Sequence, residues 1–113
     1  MKNLIYSAIL FFISACSIEP GKEVSGEFRA GQSQFNKVCV NCHGPDAMGG
    51  NRAPSLIQER FSISKYSNEN IAQIIINGSN SGAMPSLKNR VSEKEIEEIT
   101  KYIRYLQKES GLT

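Results

Sequence analysis

The chain has 113 residues, 40% of them apolar and 21% charged, which makes it one small domain near the lower limit of what a side-chain core alone can stabilise. Its formal net charge is +2 with no dense run of Lys and Arg, so nothing argues for a nucleic-acid partner. No apolar run approaches twenty residues, and no segment of the mature protein is expected to span a membrane.

Met1-Lys2-Asn3 is a short basic start, and residues 4–13 are mostly apolar. That order and length predict a secretory signal peptide over residues 1–15. A buried N-terminal helix is the competing reading, but Glu19-Pro20-Gly21-Lys22-Glu23 would break and solvate it. Ile13-Ser14-Ala15-Cys16 resembles the lipobox of bacterial lipoproteins. The resemblance implies cleavage before Cys16 and lipidation of it; the alternative is an ordinary signal with a chance cysteine. Two or three acyl chains would satisfy the two-signal requirement for stable anchoring. Ser17, by the same resemblance, points to the outer membrane. Residues 16–24 then read as a flexible tether reaching roughly 15–18 Å r.m.s., which leaves a domain of residues 25–113 near the membrane and free to rotate.

Within the domain, Ser25 is placed to cap a helix over residues 26–40, with Phe28, Gly31, Phe35, Val38 and Cys39 along one side. Residues 44–55 carry three Gly and two Pro and read as loop. A short turn or helix is expected over 56–61. Ser67 caps a second helix over 68–77, ended by Gly78. Residues 77–85 are again loop. Ser92-Glu93-Lys94-Glu95 is a capping box before Ile96, Ile99, Tyr102, Ile103 and Leu106 on one face of a last helix, with Gly111 past its end. No period-2 strand and no repeat appears. The fold class is all-α, three main helices and two long loops, and such loops need something to wrap around.

Cys39-Val40-Asn41-Cys42-His43 is the chemical centre of the sequence. C-x-x-C-H is the attachment signature of c-type haem. Two cysteines three apart near a helix end face the same side, so each thiol can bond one of two vinyl groups on one porphyrin edge. His43 is thereby held beneath the iron. Three rival readings compete with this one. A structural zinc lacks a fourth ligand once Cys16 is lipidated. A thioredoxin-like pair would have a strand before it and a helix after it. A Cys39–Cys42 disulfide leaves the only histidine unexplained. For the second axial position, Met48 lies only five residues past His43 and would have to round the ring edge. Met84, in Gly82-Ala83-Met84-Pro85, sits in a loop long enough to cross the other face. Pro85 disfavours helix at Met84, and Gly78 and Gly82 permit close backbone approach.

Gly31-x3-Phe35-x3-Cys39-x2-Cys42-His43, Ala53-Pro54-x-Leu56, Asn77-Gly78, Met84-Pro85 and Tyr102-Ile103-x-Tyr105-Leu106 together resemble class I cytochrome c over residues 25–109. The resemblance implies a small cytochrome c fold around one covalently bound haem c. Cys39 and Cys42 would be the thioether pair, His43 the proximal ligand and Met84 the distal one. Pro54 would offer its carbonyl to the His43 Nδ1–H. Gly31 and Phe35 would mark where the first helix crosses the last, near Tyr102 and Leu106. Arg52, Arg60 and Tyr66 are candidate partners for the propionates. The surface lysines that crowd the haem edge of mitochondrial relatives are sparse here.

The function expected is one-electron transfer in the cell envelope, on the periplasmic side, by a monomeric, lipid-anchored carrier rather than an enzyme. Its partners would be redox proteins docking at the haem edge. Residues 50–92 hold Arg52, Arg60, Lys65, Lys88 and Arg90 against Glu59 and Glu69, a mildly positive face suited to an acidic partner. Two alternatives stay open: a haem sensor or peroxidase-like enzyme with a labile Met84, and a cytochrome subunit of a larger oxidoreductase.

Overall fold

The computed structural model describes residues 21–50 and 52–112. The expected signal peptide, Cys16 and the start of the tether lie outside the described residues. Among the described residues there is no strand, and no helix is long and apolar enough to cross a membrane.

Helix α1, Gly26–Val38, begins at Ser25, whose backbone is extended. Ser25 occupies the N-cap position without a side-chain hydrogen bond; its carbonyl instead accepts from the Phe28 N–H at 3.0 Å. The helix was expected to run smoothly to residue 40, but it kinks at Cys39 (φ −112°) and continues as the single turn α2, Val40–His43. Hydrogen bonds bridge the kink, from Cys39 N–H to Phe35 O at 2.8 Å and from His43 N–H to Cys39 O at 3.0 Å.

A 3-10 turn, Glu59–Phe61, fills the short element expected near 56–61. Helix α3, Asn68–Asn77, starts with a reciprocal box in which Ser67 and Asn70 satisfy each other's backbone N–H groups. Gly78 ends it at φ 75°, as its missing Cβ permits. Helix α4, Glu93–Glu109, opens with the Ser92–Glu95 box. Hydrogen bonds donated by Ser92 hold the Glu95 carboxyl below its ordinary range.

The core forms where α1 crosses α4. A Cβ on Gly31 would lie 2.0 Å from Glu98 O and 2.7 Å from Tyr102 Cβ, so only glycine allows this backbone approach. Phe35 and Tyr102, both fully buried, meet edge to face at 5.5 Å. Ile96, Ile99, Ile103 and Leu106 complete the apolar side of α4, and Ile71 and Ile75 bring α3 against the same core.

Residues 21–24, read from sequence as tether, are packed on the domain. Val24 is buried in the core, the Lys22 N–H donates to Asp46 Oδ1 at 3.1 Å, and Gln32 Nε2 donates to Lys22 O at 2.8 Å. An apolar residue followed by a helix cap can be a core anchor as readily as the end of a linker, and here burial of Val24 decides.

Candidate functional site

The kink at Cys39 and the turn of α2 carry Cys39, Cys42 and His43 on one short stretch of chain. No disulfide joins the two cysteines; Cys39 is buried and Cys42 partly exposed. Burial pushes the Cys39 thiol up to about 12, against the opposing charge of Arg90.

His43 Nδ1 lies 3.2 Å from Pro54 O. A carbonyl only accepts, so this contact puts the proton on Nδ1 and leaves the Nε2 lone pair for a metal. A tightly folded loop delivers Pro54. Gly44 turns the chain at φ 77°, where a Cβ would strike Gly49 O at 2.2 Å. Asp46 and Ala47 follow in the left-handed region at φ 54° and 57°. The Gly49 N–H then returns to His43 O at 2.6 Å, and the Leu56 N–H to Ala47 O at 2.8 Å. Asp46 Oδ1, which accepts from the Lys22 N–H, also stands 3.5 Å from the Tyr102 hydroxyl. One carboxylate thus joins the N-terminal segment, the His43 loop and α4.

Met84 is partly buried against the core. Its loop closes on itself: the Ser79 N–H donates to Met84 O, and the Met84 N–H to Ser79 Oγ, both at 2.9 Å. Gly78 makes the close approach expected of it, since a Cβ there would sit 2.6 Å from Met84 O. Gly82 differs. Nothing lies within 4 Å of where its Cβ would be, and its φ of 78° is what requires glycine. Met48 is 63% exposed, with its side chain in solvent.

Of the residues named for propionates, Arg60 lies over the Phe61 ring at 4.6 Å, Tyr66 packs edge to face on Phe61, and Arg52 is exposed. Of the mildly positive face, Lys65 is paired with Glu59 at 3.3 Å, which weakens the field there. Sequence reasoning missed Arg104 and Gln107. Arg104 donates to Phe61 O at 2.7 Å, to Asn68 Oδ1 at 2.8 Å and to Tyr66 O. Gln107 Nε2 donates to Leu56 O and Phe61 O, each at 3.0 Å. Together they pin the 56–68 loop to α4. Their partners are mostly backbone carbonyls, which carry no sequence signal; only the i, i+3 spacing of two polar residues on an otherwise apolar helix face hinted at them.

The donor set fits a covalently bound haem. It offers two thiols one helical turn apart, an imidazole with Nδ1 engaged, and a thioether on a closed loop. It does not fit zinc: among the described residues no three His, Cys, Asp or Glu side chains converge on one point. Comparison with known families agrees. The sequence model of the family described as cytochrome C oxidase, cbb3-type, subunit III matches residues 26–103. The chain belongs to this cytochrome c family. No curated protein and no solved structure matches it. As a c-type cytochrome domain it carries covalently bound haem c and serves haem-based electron transfer.

Proposed function

We propose that this cytochrome is a one-electron carrier whose single haem c is attached at Cys39 and Cys42 and ligated by His43 Nε2 and Met84 Sδ. The observation that carries the reading is the 3.2 Å contact between His43 Nδ1 and Pro54 O, which leaves one defined nitrogen for iron beside the two thiols. The haem supplies the Fe(II)/Fe(III) couple. The chain supplies the rest. Pro54 fixes the tautomer of His43 and raises its basicity. Met84 offers a soft thioether, which favours the ferrous state compared with a second histidine. The apolar residues around both loops disfavour the more highly charged oxidised form.

With both axial donors drawn from the chain, no position is left for a substrate, and the protein is a carrier rather than an enzyme. A sensor or peroxidase-like role would need a distal acid–base group. His43 is the only histidine in the sequence and is committed to Pro54. The proposed setting is the periplasmic side of the envelope, with Cys16 lipidated and Ser17 favouring the outer membrane. A monomer with redox partners at the haem edge is the form proposed. The family description favours a second reading, a cytochrome subunit within an oxidase. Mild-detergent purification separates the two: co-purifying oxidase subunits support the second, and a lone chain supports the first.

The ferric holoprotein should show the far-red absorption band of sulfur–iron ligation. Met84→Ala should abolish that band while leaving covalent haem in place, and retention of the band in the variant would remove Met84 as the ligand.

A further inference from the structure

Both backbone polar groups of Met84 are bound by a single residue. The Met84 N–H donates to Ser79 Oγ, and the Ser79 N–H donates to Met84 O, each at 2.9 Å. Ser79 Oγ also stands 3.3 Å from Ser81 Oγ. Residues 80–83 are thus a closed excursion between Ser79 and Met84, turned by the bond from the Gly82 N–H to Ser79 O at 3.0 Å. Asn80, Ser81, Gly82 and Ala83 are all exposed, whereas Ser79 and Met84 are half-buried. By composition this stretch is a long glycine-rich loop; in the fold it is a clasp that shuts on Met84.

The clasp is rooted in the core. Ser79 follows Gly78, whose N–H closes the end of α3 on Ile74 O at 2.8 Å, and α3 is anchored through the buried Ile71 and Ile75. Beyond Met84, Ser86 Oγ donates to Ile76 O, and the N–H of the buried Leu87 donates to Ile75 O at 2.8 Å. Gly78 lets the two strands of chain lie close, since a Cβ there would sit 2.6 Å from Met84 O and 2.8 Å from Ser86 N. The Met84 backbone therefore takes its position from the C-terminal end of α3. The side-chain oxygen bonded to Met84 itself is that of Ser79.

We propose that Ser79 is a positioning residue for the distal ligand, its hydroxyl fixing the Met84 backbone so that the thioether is held for iron against competing ligands. This rests on the reading of Met84 as that ligand. Ordering a residue's backbone costs conformational entropy. A ligand whose main chain is already fixed loses less on binding, so its bond is harder to displace. Ser79 thereby helps to make this haem a carrier of electrons rather than a site for small molecules.

Imidazole competing for the ferric iron of the holoprotein tests this, read as the concentration that removes half of the far-red sulfur–iron band. Ser79→Ala should need about fivefold less imidazole than the wild type, the factor that one ordinary hydrogen bond represents. Ser79→Thr, which keeps the hydroxyl, should stay within about twofold of the wild type. Two controls separate positioning from general loosening. Asn80→Ala alters the exposed tip, and Ser67→Ala removes the hydroxyl that caps the other end of α3. Both should need as much imidazole as the wild type. An unchanged concentration in Ser79→Ala, or an equal fall in Ser79→Thr, Asn80→Ala or Ser67→Ala, would overturn the role of Ser79 while leaving Met84 as the ligand. A far-red band missing from the wild type, or surviving in Met84→Ala, would instead overturn the ligand reading, and the role of Ser79 with it.

Discussion

Single residues set the geometry of this cytochrome at two points. Gly31 is one, because Glu98 O stands 2.0 Å from where a Cβ would be and cannot move without moving α4. Gly31→Ala should cost about 3 kcal/mol, at the upper end of ordinary overpacking, read as a lowered denaturant midpoint of the holoprotein. A loss below about 0.5 kcal/mol, the range of an inert surface change, would mean the helices do not meet so closely. Asp46 is the other. Its left-handed backbone turns the loop that brings Pro54 to His43, and its carboxylate holds Lys22. The motif of Cys39, Cys42 and His43 stands out in the sequence, because covalent haem attachment demands such a fixed spacing. Asp46 does not, since nothing in a sequence says which loop carboxylate will meet a backbone amide twenty-four positions away.

At the scale of elements, α3 and α4 could be read almost to the residue, because Ser67 and Ser92 start them and glycines lie at or just past their ends. The kink at Cys39 could not, as the sequence around it is compatible with unbroken helix. The α1–α4 crossing also has a pH signature. Burial holds the Tyr102 phenol above its ordinary range, reinforced by Asp46 and opposed by a hydrogen bond from Gln32. Unfolded tyrosine titrates near 10, so the folded state keeps this proton longer. The contribution is intact below about pH 10 and is lost as pH rises through the folded value. Denaturant midpoints of the holoprotein should therefore fall as pH rises above about 10, and fall less in Tyr102→Phe; equal slopes would contradict the assignment.

Helix α4 also holds the 56–68 loop, through Arg104 and Gln107. Arg104→Ala should cost about 2–3 kcal/mol, as expected for lost hydrogen bonds to a charged group, and speed amide exchange at Ser62 and Tyr66. Arg104→Lys should rescue little, because an ammonium cannot reproduce the planar fork that reaches several acceptors at once. Full rescue by lysine would show that charge, not geometry, holds the loop.

For the molecule as a whole, the sequence showed a small all-helical protein wrapped around a group that its own side chains do not supply, and membership in a cytochrome c family agrees. What it concealed was where the domain begins. Residues 21–24 looked like linker by composition and are held by two hydrogen bonds and one buried valine.

The central claim is that both axial positions of the iron are filled from this chain, by His43 and Met84. Carbon monoxide added to the ferrous holoprotein tests it most directly, read by absorption at neutral pH. The account predicts an unchanged low-spin spectrum in the wild type and ready binding in Met84→Ala. Ready carbon monoxide binding by the wild type would contradict it and make this haem a site for ligands.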